Sequence, residues 1–142
     1  MQKSKRGARE LALNVLYQID VAGMRVDEAL QMAFDHIRLT PSAQEYARSL
    51  VMGTLANLWE IDKKLRSVST EWPPRRQSFV DRNILRIAVF EMDYVRSVPD
   101  VVAIDEGIEL AKKFGSAESG KFINGVLAAY LREFVHGGGE SA

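Results

Sequence analysis

Apolar side chains recur along this chain at the spacing of an amphipathic helix almost from end to end. Ala8, Leu11, Ala12, Val15, Leu16 and Ile19 fall at i, i+3, i+4, i+7, i+8 and i+11, one stripe on a 3.6-residue repeat. A turn is expected around Gly23, then a shorter helix over 26–38 with Val26, Leu30, Ala33, Phe34 and Ile37 inward. Thr40-Pro41-Ser42 restarts the chain. Proline suits a first helical turn, and Ser42 with Glu45 has capping-box spacing. From there the stripe Ala47, Leu50, Val51, Thr54, Leu55, Leu58, Ile61 and Leu65 predicts one long helix to about Ser67. Consecutive prolines at 73 and 74 cannot sit inside a helix, so Thr70 to Ser78 divides the chain. A fourth helix over about 79–96 starts at Ser78 and is apolar on more than one face, the mark of a central element. A fifth covers 102–114 and ends at Gly115, a residue that tolerates the positive φ common just past a helix. A sixth covers about 117–135, with Ile123, Val126, Leu127, Tyr130, Leu131 and Phe134 buried. No alternating strand pattern stands between turn residues. The expected fold is all-α: two packed three-helix subdomains, residues 1–72 and 73–142, the second ending in a flexible glycine-rich tail.

Composition narrows the chemistry. The chain has 142 residues, 46% hydrophobic and 27% charged, enough apolar material for a core without staples. With no cysteine there is no disulfide, thiolate nucleophile or thiolate metal site, and the only two histidines, His36 and His136, are far apart. No apolar run reaches the roughly 18 residues that span a bilayer, which places the protein in the cytoplasm as an expectation. Nineteen basic residues balance nineteen acidic ones. Zero net charge argues against a bulk polyanion binder and leaves room for a local basic patch.

The stretch GSAESGKF, Gly115 to Phe122, nearly completes the phosphate-cradling pattern G-x-x-x-x-G-K-[ST]. A phosphate loop needs a strand before it and a hydroxyl after the lysine to hold Mg²⁺. Here a helix precedes it and Phe122 offers no oxygen, so nucleotide hydrolysis is excluded. Phe114 and Phe122 instead bracket a polar helix start with Lys121 nearby. They are either core residues at a helix corner or the rim of an exposed stacking surface. At the other end Lys3, Lys5, Arg6 and Arg9 precede the first acidic residue, and Lys5, Arg6 and Arg9 share one side of a helix. Cations with flat rings suit single-stranded RNA or DNA; a solvated terminus is the plainer alternative. Asp105, Glu106 and Glu109 form an acidic cluster that reads as surface decoration, Arg75 and Arg76 as linker charges, Trp59 and Trp72 as packing anchors. Gly53, Gly107 and Gly125, each about 1 kcal/mol worse than alanine within a helix, point to close helix packing.

Three runs carry a family resemblance: KRGARELALNVLY (Lys5 to Tyr17), VDRNILRIAVFE (Val80 to Glu91) and AIDEGIELAKKFGSAESGKFINGVL (Ala103 to Leu127). Together they resemble the NusB family of bacterial transcription antitermination factors, over about residues 5 to 131. The resemblance implies an all-helical, non-enzymatic protein without cofactor. It would bind the boxA element of ribosomal RNA transcripts as a heterodimer with NusE, a small-subunit ribosomal protein, inside an RNA polymerase antitermination complex. For some members it also implies a homodimer through overlapping surfaces. The basic RNA-binding start of the family falls on Lys5, Arg6 and Arg9, thinned by Gly7. Its RNA-facing C-terminal surface falls on Phe114, Glu118, Lys121 and Phe122, with Glu118 opposing phosphate. Its partner-protein surface falls on Tyr17 and Asp81. A second reading is the RNA-binding N-terminal domain of a ribosomal RNA cytosine methyltransferase, although no strand-plus-glycine segment for S-adenosylmethionine is present; a third is a protein scaffold with incidental basic residues.

Overall fold

The computed structural model describes residues 5–69 and 78–136. Lys3, Trp72, Arg75, Arg76 and the glycine-rich tail lie outside them. Seven α-helices follow in order: α1 (Lys5–Ala22), α2 (Val26–His36), α3 (Pro41–Ala56), α4 (Leu58–Val68), α5 (Phe79–Tyr94), α6 (Asp100–Phe114) and α7 (Ser119–Tyr130), the last running into a wider π-type turn over Leu131–His136. The fold is all-α, with four helices before the proline break and three after it.

The added helix comes from the long element expected to run to Ser67. It breaks at Asn57, whose Nδ2 donates to the Gly53 carbonyl at 2.8 Å and whose own carbonyl accepts from Ile61 N at 2.9 Å. An asparagine side chain competes with the helix ladder in this way, and the apolar stripe gives no warning because it continues across the break. The cap of α3 also shifts. Thr40, rather than Ser42, accepts the hydrogen bond from Ala43 N at 3.3 Å, and Pro41 takes the first helical position. Ser78 caps α5 as expected, accepting from Asp81 N at 3.0 Å. Gly23 has φ 66° and makes the turn after α1. Gly115 ends α6 without positive φ: its φ is −94°, and glycine is needed because a Cβ would lie 2.5 Å from Ser119 Oγ.

α5 is central, packing against α1, α3, α4, α6 and α7. Its apolar girdle of Ile84, Leu85, Ile87, Ala88 and Val89 belongs to one buried cluster that draws on every helix from α1 to α7. Each large side chain there contributes roughly 1.5 to 3 kcal/mol. α3 crosses α5 closely because Gly53 has no side chain; a Cβ would sit 2.2 Å from the Phe90 ring. At Gly107 a Cβ would make only ordinary contacts, and at Gly125 none within 4 Å, so close packing does not explain that glycine.

Polar groups enter the core in two networks. Arg9 (4% exposed) donates Nε to both oxygens of Glu91 (1% exposed) at 2.9 Å, and the Tyr46 hydroxyl of α3 donates to Glu91 Oε2. Burial and the Glu91 hydrogen bond both push the Tyr46 hydroxyl upward, so it stays a donor. At the other end of α1, Asp20 accepts from Arg82 Nε at 2.6 Å, Asn83 Nδ2 at 2.9 Å and Arg86 Nη1 at 3.1 Å, while Arg86 also grips Asp62 of α4. Removing one member of a buried pair leaves an uncompensated charge. Glu91→Ala is therefore expected to lower unfolding free energy by about 3–5 kcal/mol, whereas the double variant Arg9→Met/Glu91→Leu should recover most of the loss; urea titration checks both.

Candidate nucleic-acid interface

Arg9 and Arg6 begin as equivalent members of a basic terminus and end with different burial, one inside the core and one at the surface. Arg9 lies at a helical angle between Ala12 and Leu13, inside the arc that α1 buries, and its charge is met by Glu91. Arg6 lies about 60° further round. Its side chain is 57% exposed, and it reaches α6, donating Nε to Glu106 Oε1 at 3.0 Å and Nη2 to Glu106 Oε2 at 2.7 Å. Lys5 is exposed, with Nζ 3.4 Å from Ser97 Oγ and 5.0 Å from the Tyr46 ring centroid. Thus Lys5 and Arg6 are presented to solvent and Arg9 is not.

A seam between α1 and α6 continues from Arg6. One turn on, Glu10 accepts from Lys113 Nζ at 3.0 Å through both oxygens. Another turn on, Leu13, Asn14 and Tyr17 line a groove of about 180 Å³ with Glu10, Val80 and Phe114. The cross-pairs occur in the same order on both helices, so α1 and α6 run parallel along the seam. Eight residues separate Glu106 from Phe114, so the ring stands about 12 Å along α6 from the Arg6 end. Phe114 is 44% exposed, and Lys113 Nζ sits 5.4 Å from its centroid.

Beyond Phe114 the chain turns tightly. Ser119 Oγ accepts from Ser116 N at 2.9 Å and faces inward, so GSAESGKF forms a helix–turn–helix corner rather than a phosphate cradle. Glu118 and Lys121 are exposed at the start of α7; Phe122 is half-buried against the core. Of the two phenylalanines, then, Phe114 is the open ring and Phe122 is largely a packing residue. Tyr17 is half-buried on the seam and meets Phe79 edge-on at 6.5 Å. Asp81 is buried in the first turn of α5, and its Oδ1 accepts no hydrogen bond among the described residues.

Residue type and spacing did not single out Glu10, Glu106 and Lys113 as seam residues. Glu106 falls in a cluster that reads as surface decoration, and only the tertiary pairing reveals the three together. That cluster is divided in the fold: Glu106 serves Arg6 and Arg9, and Glu109 lies 3.5 Å from Lys112. Trp59 is no packing anchor but is 67% exposed, with Lys63 Nζ 4.9 Å from its ring centroid. No helix among the described residues is long and apolar enough to cross a membrane.

The hydrogen bonds from Arg6 hold the Glu106 carboxyl below its ordinary value of 4.5, against the opposing effect of burial. For Asp20, burial alone would raise the carboxyl, but hydrogen bonds from Arg82 and Asn83 and the charge of Arg86 outweigh it and hold it below 3.8. A depressed carboxyl stabilises the fold above its unfolded value, and that contribution is lost as pH falls through the folded value. Stability is therefore expected to drop below about pH 4, and Asp20→Asn should flatten the drop while lowering stability at pH 7; urea midpoints across pH 2 to 7 measure both.

The model of the NusB family matches residues 6–132. The transcription antitermination protein NusB of Desulforamulus reducens is 46% identical over 127 residues, covering 89% of each chain. The solved structure of T. maritima NusB superposes with a TM-score of 0.85 at 34% identity, covering 94% of each chain. A crystal structure of the antitermination factors NusB and NusE in complex with dsRNA aligns with a TM-score of 0.83 at 30% identity, covering 91% of this chain and 96% of that one.

Proposed function

This chain belongs to the NusB family of transcription antitermination proteins, which are not enzymes, and from that premise we propose that it binds boxA-type single-stranded RNA of ribosomal RNA transcripts jointly with NusE. The observation that carries the reading is the α1–α6 seam, where Arg6 at one end and the open Phe114 ring at the other border adjoining grooves that share Glu10, with Lys5 beside Arg6. Cations there meet phosphates and the ring stacks on an unpaired base. Lys121 extends the positive surface past the corner, with Glu118 beside it as an opposing charge. Arg9 and Phe122 support the surface from beneath, Arg9 by fixing α1 and Phe122 by packing the start of α7.

NusE takes the groove end of the seam. Tyr17, Val80 and Phe114 give it apolar contact. Asp81 is buried and its Oδ1 has no surface to offer a partner, so the proposed contact rests on Tyr17, Val80 and Phe114. Because Phe114 belongs to both surfaces, RNA and NusE would bind side by side. Such a pair fits a subunit of a cytoplasmic RNA polymerase antitermination complex. Self-association through the same faces would compete with both partners.

Salt titration of binding to a short boxA-type RNA, with and without NusE, tests this. Phe114→Ala is expected to weaken RNA binding by about 1–3 kcal/mol with no change in the log–log salt slope. Arg6→Ala should lower affinity and reduce the slope by about 0.7, one phosphate contact on a single strand. Phe122→Ala should weaken RNA binding less than Phe114→Ala does and lower the urea midpoint, because that ring packs against the core. Affinities equal to wild type in all three variants would remove the nucleic-acid reading.

A further inference from the structure

We infer that Glu106 is an internal competitor of RNA phosphate for Arg6, held in place by the buried Arg9, so that the free protein keeps its basic face latched. The inference rests on the RNA-binding reading above and adds a residue that sets its strength.

Arg6 presents Nε and Nη2 to the two oxygens of Glu106 at 3.0 and 2.7 Å. This forked edge is the one a guanidinium uses to take two phosphate oxygens, so carboxylate and phosphate cannot hold it together. The partners differ in freedom: the Arg6 side chain is 57% exposed, that of Glu106 15%. Arg6 can therefore swing outward while Glu106 stays. Glu106 is not orphaned when it does, because Arg9 Nη1 lies 3.4 Å from Glu106 Oε1. Nor does Arg9 depend on Glu106 for its own charge, since Glu91 takes Arg9 Nε through both oxygens. Glu106 thus sits between a mobile arginine and a fixed one. RNA binding moves Arg6 from carboxylate to phosphate and leaves Glu106 with Arg9.

The arrangement repeats along the same groove. Arg6, Lys112 and Lys113 line it together with Glu10, Glu106 and Glu109, three cations and three carboxylates. Lys113 is engaged by Glu10 and Lys112 by Glu109. The pairing around Arg6 is the one with a second buried cation behind it, which marks Glu106 as the residue whose removal frees a cation without leaving a buried charge unmatched.

The test is RNA affinity against salt for wild type, Glu106→Gln, Arg6→Ala and the double variant, in the presence of NusE. The latch predicts that Glu106→Gln tightens binding by roughly 2- to 5-fold at low salt, the strength of a partly exposed ion pair. It also predicts a steeper slope, approaching one further phosphate contact of about 0.7. In the Arg6→Ala background the same substitution should give no gain. A urea midpoint near that of wild type is expected for Glu106→Gln, because Arg9–Glu91 is untouched. Binding by wild type with equal or weaker binding by Glu106→Gln overturns the latch alone, as does a gain that persists without Arg6. No RNA binding by wild type or Glu106→Gln overturns the RNA reading and the latch with it.

Discussion

The ion pair between Arg9 and Glu91 fixes how α1 lies on α5, and the seam follows from that placement. Glu91 is almost wholly buried and draws on three elements: Arg9 from α1, Tyr46 from α3 and its own α5. Glu106 brings α6 to the other side of the same guanidinium. A buried pair of this kind adds little net stability over an apolar replacement, because desolvation offsets most of its Coulomb energy. Its effect is geometric. α1 cannot rotate or slide on α5 without breaking charged hydrogen bonds in a medium that gives no alternative partners. With Arg9 fixed inward, Arg6 three residues earlier must project toward α6, and Glu10 and Tyr17 follow along the same ridge.

The second network does at the far end of α1 what Glu91 does at the near end. Asp20 collects Arg82, Asn83 and Arg86 of α5, and Arg86 carries the connection to Asp62 of α4. α1 is therefore pinned to the central helix at both ends by charged groups and along its middle by Leu11, Val15 and Leu16. A third tie, Asp93 accepting from the Tyr130 hydroxyl at 2.7 Å and from Lys64 Nζ at 2.8 Å, joins α7 and α4 to the end of α5. Polar residues thus set the register of the helices, and apolar burial supplies most of the driving force.

Helix existence was legible because apolar burial writes a 3.6-residue period, and the stripes of α1, α2, α5 and α7 are the faces that the fold buries. Side-chain hydrogen bonds to the backbone leave no such period. That is why the break at Asn57 and the move of the cap from Ser42 to Thr40 escaped the pattern. Charge partners were the larger omission. Arg9 looked like one more solvated cation because Glu91, its partner, lies 82 residues away. Trp59 failed in the opposite sense: size alone suggested an anchor, yet the α4 face that carries it packs against nothing described. The candidate interface was readable at its two ends, a cationic start and an aromatic corner, and unreadable in between, where Glu10, Glu106 and Lys113 join them.

Zero net charge and a nucleic-acid face are reconciled by where the carboxylates stand. If they were scattered over the surface, the cations of the seam would project a field that draws any polyanion. Instead Glu106, Glu10 and Glu109 lie 2.7 to 3.5 Å from Arg6, Lys113 and Lys112. From a Debye length away, such pairs are nearly neutral. On the reading proposed above, RNA gains on this surface only where it can replace several carboxylates at once and stack a base on Phe114, so that reading makes non-specific attraction low and lets contacts at short range decide binding. On the same reading, a protein partner seated in the Tyr17–Phe114 groove at the end of the seam adds the remaining contacts. Glu106, which meets the buried Arg9 as well as the exposed Arg6, joins the charges that set helix register to those that restrain the surface.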